Sequence, residues 1–486
     1  VLIHTGDYRY DYSNPARMAN LLNEIPNLTA ICAHLAGWSV YDEPRRVLAG
    51  RDVYVDTSSS LYTLTPAHAA ELIHAFGVLK EACAAANHRL GTLDTRRYQL
   101  IQSACQAIRA GELAEQFPLS VWQTGSGTQT NMNCNEVIAH VGNAQAGETL
   151  LHPNDHVNMA QSTNDVYPTA GRLTLIRLLD TAIPAVRDLR EAFLQKSREF
   201  ASIIKMGRTQ LQDAVPMRLG QSFHAYACPL ARDLQRLETA RDALLSVNLG
   251  GTAIGTSITA SPYYVRHVVS TLAEVSGLPV TQAEDLFDAT ENLDSLAAAS
   301  GAIKTCALSL SKVANDLRLL SSGPRTGLAE IRLPAQQNGS SIMPGKVNPV
   351  IPEVVSQAAY RIAGNDVTVS MCVEAGQMEL NAFEPVLFDS LFESIELLRN
   401  ASHTFRVNCV EGITADPEHC HALLESSYGV VTALCPLIGY ERAAALVKGA
   451  MRERRPVMEY VREHVDIPAE TLAELINPEA MTGVRE

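Results

Sequence analysis

The 486-residue chain is expected to fold mainly as α-helix, in a bundle of long helices preceded by a short α/β segment. Three observations carry that expectation. In the stretch 171–205, Leu175, Leu179, Ile183, Val186, Leu189 and Phe193 recur at three- and four-residue steps, tracing one apolar stripe that crosses Pro184. The stretches 219–247 and 294–320 repeat the behaviour, the latter through Leu296, Ile303, Leu310, Val313, Leu317 and Leu320. Residues 1–77 instead alternate short apolar runs with helical patterns, a βαβα grammar. Helices of about thirty residues are long for a compact globule and suit a bundle whose stripes are buried by each other and by neighbouring subunits.

Composition bounds the function classes. The chain is 46% hydrophobic and 19% charged, with a mean hydropathy of −0.01, and it is long enough for more than one core. No apolar run approaches a membrane span, and the first residues lack the basic start and cleavage site of a signal peptide. A cytoplasmic protein with no membrane partner is therefore expected. Net charge is −14 with no basic stripe, so a nucleic-acid partner is not expected either. A dianionic substrate must then be held by local donors. The ten cysteines form no CxxC pair and are expected to be reduced and mostly buried. His419-Cys420-His421 are helix neighbours that point in different directions, so no metal site is expected there.

In chain order, 14–25 and 66–76 carry helical patterns, and 28–35 and 52–57 look like short buried strands. His4-Thr5-Gly6-Asp7, Ala33-His34-Leu35-Ala36-Gly37 and Tyr54-Val55-Asp56-Thr57-Ser58-Ser59 resemble a piece of a metal-dependent amidohydrolase barrel. The resemblance covers a fraction of such a barrel. That family's HxH pair and later Asp ligand are absent, which leaves His4 and His34 isolated and the 1–77 segment without a catalytic metal site. At Gly77 one pattern stops and another starts, with no Pro- or Ser-rich linker.

Polar segments then alternate with the long helices. Thr124-Gly125-Ser126-Gly127-Thr128-Gln129-Thr130-Asn131-Met132-Asn133 is a hydroxyl-and-amide turn entering a helix; Thr and Asn are favoured at such starts, and a helix start is also an anion site. His152-Pro153-Asn154-Asp155-His156-Val157-Asn158, followed by Gln161-Ser162-Thr163-Asn164-Asp165, puts short polar side chains ahead of the helix expected at 171. Gly250-Gly251-Thr252-Ala253-Ile254-Gly255-Thr256 lacks the Gly-Lys-Ser/Thr ending of a phosphate loop and is read as a helix-terminating turn. Gly339-Ser340-Ser341-Ile342-Met343-Pro344-Gly345-Lys346-Val347-Asn348-Pro349 sets hydroxyls, an ammonium and an amide between residues that forbid regular structure. Adjacent serines offer a proton acceptor and a donor, and Lys346 supplies positive charge for an anion formed in a transition state. Gly339 and Gly345 let the segment move as a lid, so it is read as a catalytic loop.

The string 339–349 matches the signature of the fumarase/aspartase superfamily, and 124–133, 152–165 and 205–216 resemble the same family. The resemblance runs from about residue 78 to the end. It implies a bundle of the fumarase/aspartase type, with 78–165 as a first domain incomplete at its start, 166–411 as the central bundle and 412–486 as a small helical domain. It also implies elimination of ammonia or water from a succinyl-type substrate to release fumarate. By position, Ser340 would be the base. Thr128, Ser162, Thr163, Asn164, Thr209, Gln210, Ser341, Lys346 and Asn348 would bind substrate, and Glu353 would orient Lys346. Gln210 stands where fumarases typically carry His, and a neutral amide can hold a carboxylate or an ammonium. With the wording of 205–216, this favours the aspartase branch acting on L-aspartate. The alternative is fumarate hydration to malate; a metal-dependent hydrolase or decarboxylase activity of the first segment ranks below both. The family further implies a homotetramer with active sites shared among three subunits, no required cofactor, and a divalent cation only as an activator.

Overall fold

The computed structural model describes residues 2–4, 30–33, 53–55, 66–337, 339 and 342–482, with side chains from residue 70. The helical pattern at 14–25 and His34 lie outside them. Three strands, β1 (Leu2–His4), β2 (Ala30–Ala33) and β3 (Val53–Val55), pair in parallel in the order β1-β2-β3, with Leu2 opposite Ile31 and Ala30 opposite Val53. Parallel neighbours need crossover connections, which is what the alternating pattern anticipates. The strands expected at 28–35 and 52–57 contain β2 and β3, and His4 ends β1.

Helix α1 (Pro66–Leu90) passes straight through Gly77, so the junction expected there falls inside a helix. Its Phe76, Leu79, Ala82, Cys83 and Ala86 are buried. Helix α2 (Thr95–Arg109) starts at Asp94, whose carboxylate accepts from Arg97 N at 3.0 Å, satisfying one of the N–H groups every helix start leaves over. The long elements follow: α3 (Thr128–Ala146), α4 (Thr163–Glu199), α5 (Leu219–Ala243), α6 (Pro262–Ser276), α7 (Asp294–Leu320), α8 (Val350–Glu374) and α9 (Glu384–Asn408). Every residue of the two apolar stripes traced on α4 and α7 is buried. None of the described helices is by itself long and apolar enough to cross a membrane.

Two boundaries differ from expectation. Helix α4 begins at Thr163 rather than near 171, although Pro168 cannot donate to the carbonyl of Asn164. The side chain of Asn248 fills that gap, its Nδ2 donating to Asn164 O at 2.9 Å. Helix α5 stops at Ala243 rather than 247, and Ser246–Val247 instead pairs in parallel with Thr281–Gln282.

The described residues divide into two compact units, each built from three stretches, within 1–175, 244–294 and 368–392 for one and within 176–243, 295–367 and 393–486 for the other. In the first, Phe76, Tyr167, Phe388 and Phe392 form a chain of ring contacts with centroids 5.9 to 6.1 Å apart. In the second, Phe193 meets Phe223, Tyr226 and Phe405 at 5.9 to 6.3 Å. Each such pair contributes about 1 kcal/mol beyond the area it buries. The second unit also holds a separate C-terminal core in which Leu424, Val430, Val431, Leu434, Leu446 and Val461 close around Met206. Met206 belongs to a hairpin of β4 (Ile204–Thr209) and β5 (Gln212–Arg218).

Candidate active site

In the first unit, Thr128 is exposed at the start of α3, its Oγ1 3.0 Å from Ser126 Oγ. The cap is not the Thr or Asn that composition favours. It is Gly127, at φ 76° and with no side chain to offer. Gln123 supplies part of the missing function, its Oε1 accepting from Thr130 N at 3.1 Å. A helix start without a cap of its own favours an anion, through its N–H groups and its dipole.

Asn131, one turn further on, donates to Thr163 Oγ1 at 3.1 Å and so ties the Thr128 turn to the Ser162–Asn164 turn. Asn164 Nδ2 is committed to the carbonyl of Ala253 at 2.7 Å. Beneath this turn lies Asp165, fully buried. Its Oδ1 accepts from Ser162 N at 2.9 Å, and its Oδ2 from Gly250 N and Thr252 N at 3.0 and 3.1 Å. Because α5 already ends at Ala243, with the Ser246–Val247 strand after it, the glycine segment 250–256 is not a helix-terminating turn, and its Gly250 and Thr252 N–H groups instead grip an internal carboxylate. Burial pushes the Asp165 carboxyl up to about 6, opposed by those three N–H bonds and by the Lys80 ammonium.

Lys80 is buried in the same unit. Its Nζ donates to Gln161 Oε1 at 2.8 Å and to Asn158 Oδ1 at 3.0 Å. Asn158 Oδ1 also accepts from Asn131 and Asn135, at 3.3 and 3.2 Å. Burial lowers the Lys80 pKa, since its hydrogen-bond partners are neutral amides. Sequence reasoning missed Lys80, Asn158 and Asp165 as site residues. The available signal was an ammonium on the apolar run of α1, a placement that requires partners.

In the second unit, the 205–216 segment is the β4–β5 hairpin. Thr209 pairs with Gln212, and Gln210–Leu211 form its two-residue loop, with φ of 54° and 62°. Positive φ at both loop residues is the type I′ signature, which normally selects Asn and Gly. Thr209 and Gln210 are exposed at this tip. The hairpin base is fixed by Glu330, 0% exposed, whose Oε2 lies 3.0 Å from Lys205 Nζ and whose Oε1 lies 2.7 Å from Arg208 Nη1.

The loop at 339–349 is pinched at its neck: a Cβ on Gly339 would lie 1.2 Å from the carbonyl oxygen of Lys346. Lys346 is exposed, its N–H donating to Met343 O at 3.2 Å, and Asn348 is half-buried. Ser340 and Ser341 lie outside the described residues. Glu353, in the first turn of α8, pairs with Arg318 at 3.7 Å rather than with Lys346, so within the subunit it does not orient Lys346 as expected.

The nine described cysteines are free and seven are buried. Burial pushes the Cys83 and Cys134 thiols up to about 12, which leaves them protonated and unreactive. Among the described residues no three His, Cys, Asp or Glu side chains gather as metal ligands. His419 faces the Leu328 carbonyl while His421 pairs with Glu425, as expected of helix neighbours.

The sequence matches the family model described as "Lyase" over residues 51–364 and that described as "Fumarase C C-terminus" over 430–483. It is 50% identical over 424 residues to an aspartate ammonia-lyase of Pseudomonas aeruginosa, covering 86% of this chain and 90% of that protein. Among solved structures, a fumarate lyase:delta crystallin from Brucella melitensis aligns with a TM-score of 0.83 at 46% identity, over 87% of this chain and 92% of that one. A class II fumarase from Schistosoma mansoni aligns with the same TM-score, 0.83, at 34% identity, over 86% and 91%. With its bundle of long helices and the polar turns that its helix and strand ends present, this chain is a member of the fumarase/aspartase superfamily of lyases.

Proposed function

We propose that the chain is an aspartate ammonia-lyase, catalysing the reversible elimination of ammonia from L-aspartate to give fumarate. The observation that carries this reading is the 50% identity to a Pseudomonas aeruginosa aspartate ammonia-lyase across 90% of that protein, against 34% to a class II fumarase. Gln210 at the hairpin tip supports the same choice, because a neutral amide accommodates an ammonium-bearing substrate that a histidinium would repel.

Removing a proton from the carbon beside a carboxylate places a second charge on a group that is already negative, so that charge must be stabilised first. Thr128, Ser162, Thr163 and Ser341 are assigned to donate to this doubly charged carboxylate, each worth about 3 kcal/mol of barrier. Ser340 is assigned to take the C3 proton, with Lys346 and loop N–H groups lowering its pKa. The C3–H electron pair becomes the C2=C3 double bond, and the C2–N pair leaves with the amino group as ammonia. Lys346 and Asn348 are assigned to the other carboxylate, and Asn164, Thr209 and Gln210 to the remainder of the substrate. The step as written needs no cofactor; a divalent cation enters only as an activator.

A homotetramer with shared sites completes the proposal. Helix α8 presents Tyr360, Val367 and Met371 at seven- and four-residue steps, 59 to 67% exposed, a stripe of large apolar residues that a soluble monomer rarely leaves uncovered. A second copy of the helix bundle would cover it. A spectrophotometric assay of fumarate from L-aspartate and from L-malate, with ammonia measured in parallel, tests the substrate. Sedimentation of the full chain tests the assembly.

A further inference from the structure

We propose that Ser427 and Asp213 form a latch through which the C-terminal core holds the strained Gln210–Leu211 turn in its working conformation, making both positioning residues for substrate binding. The inference rests on the reading that Thr209 and Gln210 meet the substrate. Ser427 Oγ donates to Asp213 Oδ2 at 2.7 Å, on the strand that leaves the turn. Asp213 Oδ1 also lies 3.9 Å from Arg208 Nε on the strand that enters it, so one carboxylate bridges both strands and the C-terminal domain. Next to the latch the two backbones touch, since a Cβ on Gly429 would lie 2.3 Å from the carbonyl oxygen of Ala214.

The turn needs such a hold. Gln210 and Leu211, at φ 54° and 62°, are two consecutive side-chain-bearing residues in the left-handed region, a conformation that persists only where surroundings impose it. Packing does not impose it here. Leu211 is 67% exposed and borders an open cleft of about 500 Å³ lined also by Gln212, Asp213, Tyr428 and Thr432. Met206, on the opposite strand, is built into the C-terminal core, so the hairpin is packed directly onto that core.

The test compares the full-length wild type with Ser427→Ala, Leu211→Gly and the double variant. It measures KM and kcat for L-aspartate and hydrogen exchange of amides 204–218. Ser427→Ala should raise KM about tenfold, the size of one lost hydrogen bond to a charged group, with kcat changed much less and faster exchange in the hairpin. Glycine at 211 adopts the left-handed turn without help. The double variant should therefore return to the KM and exchange of Leu211→Gly alone. Unchanged exchange in Ser427→Ala, or a double variant as impaired as the sum of its parts, overturns the latch. An enzyme that does not act on L-aspartate overturns the lyase reading, while the exchange data still decide the latch.

Discussion

The Lys80 ammonium and the Gln161 amide oxygen meet across 2.8 Å in the buried interior, one residue before the Ser162–Asn164 turn. A buried cation held by neutral amides is costly to place, so its removal reports on what it organises. Lys80→Met should leave the Asn158 and Gln161 oxygens without their donor, destabilise the fold by about 3 kcal/mol, and lower kcat/KM for L-aspartate. Chemical denaturation alongside steady-state kinetics checks both effects. A fully active, equally stable variant would contradict the role.

Asp165 makes a pH prediction with a definite sign. Its folded carboxyl is held near 6 against an ordinary value of 3.8. Between those values the native state binds more protons than the unfolded chain. The stability this group contributes is therefore present below about pH 4 and lost as pH rises through 6, an effect of about 3 kcal/mol. The difference in unfolding free energy between the wild type and Asp165→Asn should fall across that window. A difference independent of pH would refute the assignment.

Glu330 carries the base of the hairpin. Glu330→Gln leaves Lys205, 4% exposed, without a carboxylate, and breaking one side of a buried ion pair costs about 4 kcal/mol. The expected result is a lower denaturation midpoint together with weaker aspartate binding, because Thr209 and Gln210 ride on that hairpin. An unaltered midpoint would show that Lys205 and Arg208 find other partners.

Ser340→Ala should cut turnover of L-aspartate by about a thousandfold, the scale of a lost general base, while circular dichroism and assembly stay as in the parent. A variant as active as its parent would remove the proposed mechanism.

Most of the fold was legible because burial writes itself as periodicity: the stripes on α4 and α7 are buried residue for residue. What periodicity could not show is where one residue substitutes for another's backbone hydrogen bond. Pro168 leaves the Asn164 carbonyl in the first turns of α4 without its helical donor, and the distant Asn248 supplies one. The candidate site divides the same way. The superfamily resemblance named Thr128, Ser162, Thr163 and Asn164 by position, while the groups that brace the turn, Asn158 and Asp165 in the same string and Lys80 on the distant α1, resemble ordinary helix or turn residues until folded. The glycine segment 250–256 was misread for the same reason, since the carboxylate it grips lies far back in sequence. The left-handed Gln210–Leu211 turn has no sequence signature at all, because neither residue favours it.

The most direct measurement is fumarate formation by the purified full-length enzyme, monitored by ultraviolet absorbance with L-aspartate or L-malate as sole substrate. The account predicts fumarate from L-aspartate with one ammonia released per fumarate, and little or none from L-malate. Fumarate from L-malate with none from L-aspartate would contradict it.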